Sequence, residues 1–263
     1  MTLQARLAIV VAALLLSASP AISKNTPKIS LEELAQITER GRALYAYDQA
    51  AWHATDAVVA THPTEGEDGR YIARKTDTGW VVAFGHLSET HDAFLIAHLA
   101  TQGKSPQEFS VEHFAAPRTD TAFFFAAAKA VDLALNDFQG EKVPYNVAVL
   151  PATEGQLYVY VLPAQTKDGV YPLGGDERYT VSSDGNSLID KHRMHHSILT
   201  FDTNDPQAAK LVAGYHVHVL SDVPEDSDVF YVLTRRPSIP EFIGVDGKLR
   251  FKIMEDGSIQ LKK

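Results

Sequence analysis

The stretch Thr119-Asp120-Thr121-Ala122-Phe123-Phe124-Phe125-Ala126-Ala127-Ala128-Lys129-Ala130-Val131-Asp132-Leu133-Ala134-Leu135 divides two strand-rich halves of the chain. Phe124, Ala127, Ala128, Val131 and Leu135 recur at helical spacing, and Phe123 and Phe125 widen the apolar face they make. The pattern predicts a helix buried between layers, capped at its start by Thr119 or Asp120. Lys129, Asp132 and Asp137 interrupt the apolar run and argue against a membrane span.

On the N-terminal side, Ser30-Leu31-Glu32-Glu33 reads as a capping box, with Ile29 and Leu34 spaced as its hydrophobic staple. Leu34, Ile37 and Leu44 continue an apolar stripe, with Tyr45 and Trp52 beyond, so a helix is expected to about residue 55; Gly41 weakens its middle. Short β-like runs follow at 71–74, 80–84, 93–97 and 109–114, with Asp77-Thr78-Gly79 as a turn. They predict an antiparallel meander in which Phe109, Val111 and His113 share a face.

On the C-terminal side the pattern is strand throughout, at 145–150, 156–162, 178–182, 187–201, 214–220, 229–233, 249–253 and 258–261. Glu154-Gly155, Asp184-Gly185, Asp246-Gly247 and Asp256-Gly257 punctuate it. The fold class is therefore α+β: an N-terminal helix and antiparallel meander, then a helix packed on a mostly antiparallel sheet. A leader is read at 1–23, an N-terminal region at 24–116 and a C-terminal region at 117–263, the last two either separate or one continuous domain.

The leader carries Arg6, then the apolar run Leu7 to Leu16, then small residues with Ala21 and Ser23 as the cleavage pattern, or Ser19 and Ala21 as a second option. These features predict export to a periplasm or secretion, with the mature chain starting at Lys24 or Ile22. The 263-residue chain has no cysteine, which excludes a disulfide framework and a thiolate metal site. A formal charge of -9 without a Lys/Arg cluster makes nucleic acid and anionic membranes poor partners. The 45% hydrophobic content predicts an ordered globule, and no second long apolar segment predicts a membrane-integral mature chain.

Tyr215-His216-Val217-His218-Val219 carries the main chemical signal, because strand alternation places both imidazoles on one side. Such a pair binds zinc when a carboxylate joins it, and Asp222, Glu225, Asp226 and Asp228 follow at once. The alternative is a half-buried strand whose histidines face solvent beside an acidic loop. His192, His195 and His196 form a second cluster; strand alternation sets His192 and His196 against His195, so at most two could meet one ion, and Lys191 and Arg193 favour a solvated surface. Two histidines from this strand could still complete a site with His216 and His218 if the strands pair. His86, His91 and His98 have no ligand spacing. Gly174-Gly175-Asp176 reads as a turn rather than a phosphate loop, and no G-x-S-x-G elbow accompanies Ser182, Ser183, Ser197 or Ser227.

The order of helix, strands, H-x-H, acidic loop and further strands over 119–261 resembles the JAMM-type zinc isopeptidase and metalloprotease domain. The resemblance implies His216, His218 and Asp228 as metal ligands. It departs at Val219, where the family has proline, and at Glu225, where it has serine. Where the family's catalytic glutamate should open the strand after the helix stands Pro144-Tyr145-Asn146, with Glu141 nearby but out of register. The segments Tyr145 to Pro151 and Gly174 to Tyr179 also resemble an exported proteobacterial family of unknown function. The leading expectation is a noncatalytic binding or interaction protein of unidentified partner. The alternatives are a zinc-dependent hydrolase with Glu141 as base, or a metal-handling protein that adds His192 or His196.

Overall fold

The computed structural model describes residues 29–61 and 69–262; the expected leader and mature N-terminus lie outside these residues. The elements run α1 (Leu31–Thr61), β1 (Arg70–Thr76), β2 (Gly79–Leu87), β3 (Phe94–Gln102), β4 (Phe109–Asp120) and α2 (Phe123–Asp137). Then come β5 (Tyr145–Pro151), β6 (Leu157–Pro163), β7 (Val170–Gly174), β8 (Glu177–Val181), β9 (Leu188–Arg193), β10 (Ile198–Asp202) and β11 (Gly214–Val217). The chain closes with α3 (Asp226–Thr234), β12 (Glu241–Val245), β13 (Lys248–Ile253) and β14 (Ile259–Leu261). No described helix is long and apolar enough to cross a membrane.

The expected meander is an antiparallel sheet in the order β1-β2-β3-β4, and alternation along its strands supplies two cores. Ile72, Ala83 and Ile96 pack with α2, while Ala73, Val82 and Ala100 on the other face pack with Leu44, Tyr47 and Ala51 of α1. A second antiparallel sheet, β5-β6-β8-β9, is covered by the same two helices: Val149, Val159 and Val161 join the α2 core, and Ala148, Leu150 and Tyr160 join the α1 core. Both cores thus draw on residues from either side of position 116.

The long central helix starts later than expected, because β4 runs on to Asp120. Asp120 still caps it, its Oδ1 accepting the N–H groups of Ala122 and Phe125 at 3.0 and 3.1 Å. The buried face is richer in alanine than periodicity indicated, with Ala126, Ala130 and Ala134 inside and Leu135 exposed. Small side chains let α2 lie close to both sheets at once.

A third unit forms from the sheet β11-β12-β13-β14, in which β11 and β12 are parallel, together with α3 and the β7–β10 hairpin. Here three expectations need correction. Residues 229–233, read as a strand from Val229, Phe230, Tyr231, Val232 and Leu233, are the body of α3. A capping box joining Glu225 and Asp228 starts that helix, and burial of Val229 and Val232 against Ile243 and Phe251 overrides the β-branched preference. The expected strand 187–201 is broken at 194–197, so that β9 pairs with β8 and β10 pairs with β7 in a different sheet. Strands β7 and β12 are additional to the expected set.

α1 extends to Thr61, with the Glu33 N–H donating to Ser30 Oγ at 3.0 Å and Ile29 packed in the same cluster as Leu34. Gly41, which weakened the helix in sequence, is where α3 crosses it: a Cβ there would stand 2.4 Å from Val229 Cβ and 2.6 Å from the Asp226 carbonyl oxygen. Gly41→Ala should therefore destabilise the protein by about 1–3 kcal/mol through overpacking, although alanine favours an isolated helix by about 1 kcal/mol. Urea denaturation checks this, and a variant more stable than the parent would show that the helices do not meet so closely.

Candidate metal centre

Histidines 216 and 218 share a side of the chain as expected, but that side is the buried one. His216 is 4% and His218 5% exposed, while Val217 between them is 45% exposed, so the solvent-facing alternative is inverted. β11 ends at Val217, and the His218 N–H continues its ladder by donating to the Gly244 carbonyl at 2.9 Å. α3 brings Asp228 opposite them, and the break at 194–197 turns His195 inward from the end of β9. One ligand atom from each of His195, His216, His218 and Asp228 lies within 4.8 Å of all the others.

The donors converge through their Nε2 atoms. His218 Nε2 is 3.2 Å from that of His195 and 3.1 Å from that of His216. Asp228 Oδ1 lies 3.1 Å from His195 Nε2 and 3.0 Å from His216 Nε2, and Oδ2 lies 3.1 Å from His218 Nε2. Ligands at about 2.0–2.1 Å around a tetrahedral ion stand about 3.3 Å apart, so the spacing matches a coordination shell. Oδ1 is moreover a buried atom without a hydrogen-bond partner despite those two close nitrogens. The two nitrogens stand close to Oδ1 without hydrogen-bond geometry, as donors gathered around one ion would.

Each imidazole is fixed from behind. His195 Nδ1 meets Asp176 Oδ1 at 2.9 Å, His216 Nδ1 meets Glu241 Oε1 at 3.0 Å, and His218 Nδ1 meets the Val223 carbonyl oxygen at 2.7 Å. A carbonyl and carboxylates only accept, so Nδ1 carries a proton, and an Nε2 that gives up its own proton would present a lone pair to the group. This backing is the arrangement that orients metal-bound histidines. Asp176 is placed by the turn after β7, where Gly174 and Gly175 have φ of +87° and +65°. A Cβ on Gly174 would stand 2.4 Å from the Ser197 carbonyl oxygen and 3.0 Å from His195 Cβ, so the glycine pair expected as a turn also admits the His195 segment. Glu241 opens β12, and its Oε2 accepts from Arg235 at 2.9 Å.

Burial would lower the His195 pKa, but Asp228 and Asp176 outweigh it and push it up to about 11. Burial likewise opposes the charged form of His216, and Asp228 and Glu241 push its pKa up to about 9. For Asp228 burial acts upward, yet His218, His195 and His216 hold its pKa well below the ordinary carboxylate value. The pocket's field favours positive charge at the convergence point.

The other candidates are elsewhere. His192 Nε2 pairs with Glu225 Oε2 at 2.9 Å, and His196 is exposed beside Ser197. Glu141 accepts the Ile198 N–H at 3.3 Å and is not among the converging groups. His98 and His113 face each other across β3 and β4, with Nδ1 atoms 3.3 Å apart. The sequence signal missed His195 because strand alternation does not hold through 194–197; Asp176 and Glu241 had no local signal at all. The chain has no match among family models, curated proteins or solved structures.

Asp226, two residues before Asp228, points the other way. It accepts from Arg40 Nε at 2.9 and 3.0 Å, from the Tyr160 hydroxyl at 2.9 Å and from Arg178. This buried cluster fixes the start of α3 to α1, β6 and β8. Asp226→Ala would leave two guanidinium groups without their carboxylate and should cost about 3–5 kcal/mol. An unchanged urea midpoint would show that the cluster does not anchor α3.

Proposed function

We propose that this is a metalloprotein that holds one zinc-class divalent ion on His195, His216, His218 and Asp228, in a noncatalytic role that fastens the C-terminal sheet and α3 to the rest of the fold. The reading is carried by one observation: three backed imidazoles and a buried carboxylate oxygen without a hydrogen-bond partner face one point. Nitrogen and carboxylate donors suit zinc and its first-row neighbours, and they do not select among them. Four protein donors are the mark of closed structural sites, whereas catalytic sites keep three and an open position. The donor set contains no thiolate, which agrees with the cysteine-free chain and with the export that its leader implies. The H-x-H and Asp228 positions support a distant, degenerate likeness to JAMM-type domains.

A hydrolase is the second reading, favoured by a cavity of about 210 Å³ to which His195 and His216 contribute with Ser197 and Leu199. Bound zinc would supply Lewis acidity there. The chain's own part in such chemistry lacks a base at the centre, since Glu141 is engaged by the Ile198 N–H.

Protein purified without chelators should carry about one ion per chain by elemental mass spectrometry, as four protein donors and tight structural sites imply. His195→Ala, and His216→Ala combined with His218→Ala, should lose it, whereas His196→Ala should retain it. Because an ion must displace the protons favoured on His195 and His216, apparent affinity should climb as pH rises toward about 9. Cobalt substitution should give a four-coordinate spectrum that azide leaves unchanged; a shift with azide would favour the hydrolase. Protein that neither carries nor takes up metal would overturn both readings.

A further inference from the structure

A large cavity among the described residues lies away from the proposed metal centre and shares none of its residues. It encloses about 660 Å³ between β1, the start of α2 and the β5–β6 connection. That volume is within the range of small-molecule sites, about 300–1,000 Å³. Trp80, Phe123 and Phe125 give it aromatic walls, with Leu150 and Leu157 at its buried side.

Its charge is opposite to that of the chain. The protein carries a formal -9, yet the cavity is lined by Arg74, Lys75 and Lys129 against one carboxylate, Asp184. Asp184 is committed to its own turn: Ser182 Oγ donates to Oδ1 at 2.6 Å and Asn186 Nδ2 to Oδ2 at 2.7 Å. Arg74 and Lys129 rest on aromatic faces, and Lys75 is exposed beside them. The Arg74 guanidinium lies 5.0 Å over the Phe123 ring, and Lys129 Nζ lies 4.3 Å over Phe125 while donating to Asn186 Oδ1 at 2.8 Å. No described carboxylate forms an ion pair with Arg74, Lys75 or Lys129. The first turn of α2 is already capped by Asp120, so the positive charge comes from these side chains.

We infer that this cavity is a binding site for a small organic anion with an apolar or aromatic body. The body would lie against Trp80, Phe123 and Phe125, and its carboxylate, sulfonate or phosphate would meet Arg74, Lys75 and Lys129. An anion at this position displaces no ion pair among the described residues, and the aromatic contacts of Arg74 and Lys129 order those two cations before it arrives. A neutral apolar molecule would gain the walls but not the charges.

The test uses the full chain and 8-anilinonaphthalene-1-sulfonate, with neutral N-phenyl-1-naphthylamine as its uncharged counterpart. Trp52→Phe leaves Trp80 as the one tryptophan, so energy transfer from Trp80 reports bound dye from a single donor at this cavity, and the charge variants assign the dye to it. The sulfonate should bind once per chain with transfer from Trp80, and weaken with salt. Arg74→Glu with Lys129→Glu should weaken it by about tenfold while changing the neutral dye by less than about twofold. If circular dichroism shows that pair to be misfolded, Arg74→Gln with Lys75→Gln, both at exposed positions, decides the matter through a loss of about threefold. No transfer from Trp80, equal losses for both dyes, or sulfonate binding indifferent to charge would overturn the inference.

Discussion

A fully buried carboxylate that serves two masters governs the C-terminal part of this molecule. Asp228 is 0% exposed, and its Oδ2 closes the α3 capping box by accepting the Glu225 N–H at 2.7 Å. An ionised group at that depth is tolerated only with compensating positive charge. The compensation comes from three histidines, reached by bending the chain after β9, by β11, and by the segment just beyond it. Asp226 faces the same demand, and it is met by Arg40 and Arg178. Residues two apart on a helix project about 200° apart. One turn of α3 therefore faces cations of α1 and β8 on one side, and on the other the imidazoles of β11, of the residue just beyond it and of the bend after β9.

Gly41 makes this possible from the opposite partner. Without a side chain there, α1 comes close enough to α3 for Arg40 to reach Asp226 from the adjacent position. The same glycine reads in sequence as a defect in a helix. Its meaning lies in a contact 188 residues further along the chain, at Val229, which no local pattern contains.

That distinction describes what was legible. The meander, α2 and the H-x-H pair announce themselves through periodicity, because each depends on neighbours within a few residues. His216, His218 and Asp228 come together within a span of 13 residues; H-x-H alternation pairs the histidines, but the acidic segment by itself does not say which carboxylate joins them. α3 was hidden by its own composition: Val229 to Leu233 prefer extended backbone locally, and only the capping box and burial decide otherwise. His195 was hidden by the break between β9 and β10, and Asp176 and Glu241 by the turn and the parallel strand that deliver them. The supporting carboxylates of a site are the least legible part, since their positions are products of tertiary structure.

The two proposed sites lie at different parts of one sheet, β5-β6-β8-β9. Its β5–β6 end contributes Leu150 and Leu157 to the basic, aromatic cavity, and its β9 edge leads into His195. The centre is negative behind its ligands, with Asp176 and Glu241 completing a shell that favours a cation. The cavity is positive, with its one carboxylate turned to its own loop. A chain of net charge -9 that gathers Arg74, Lys75 and Lys129 around one cavity departs there from its own average. On the proposed reading the opposite local fields would make the two sites selective: an organic anion would be repelled by the carboxylates around His195 and His216, and a divalent ion by the arginine and lysines of the cavity.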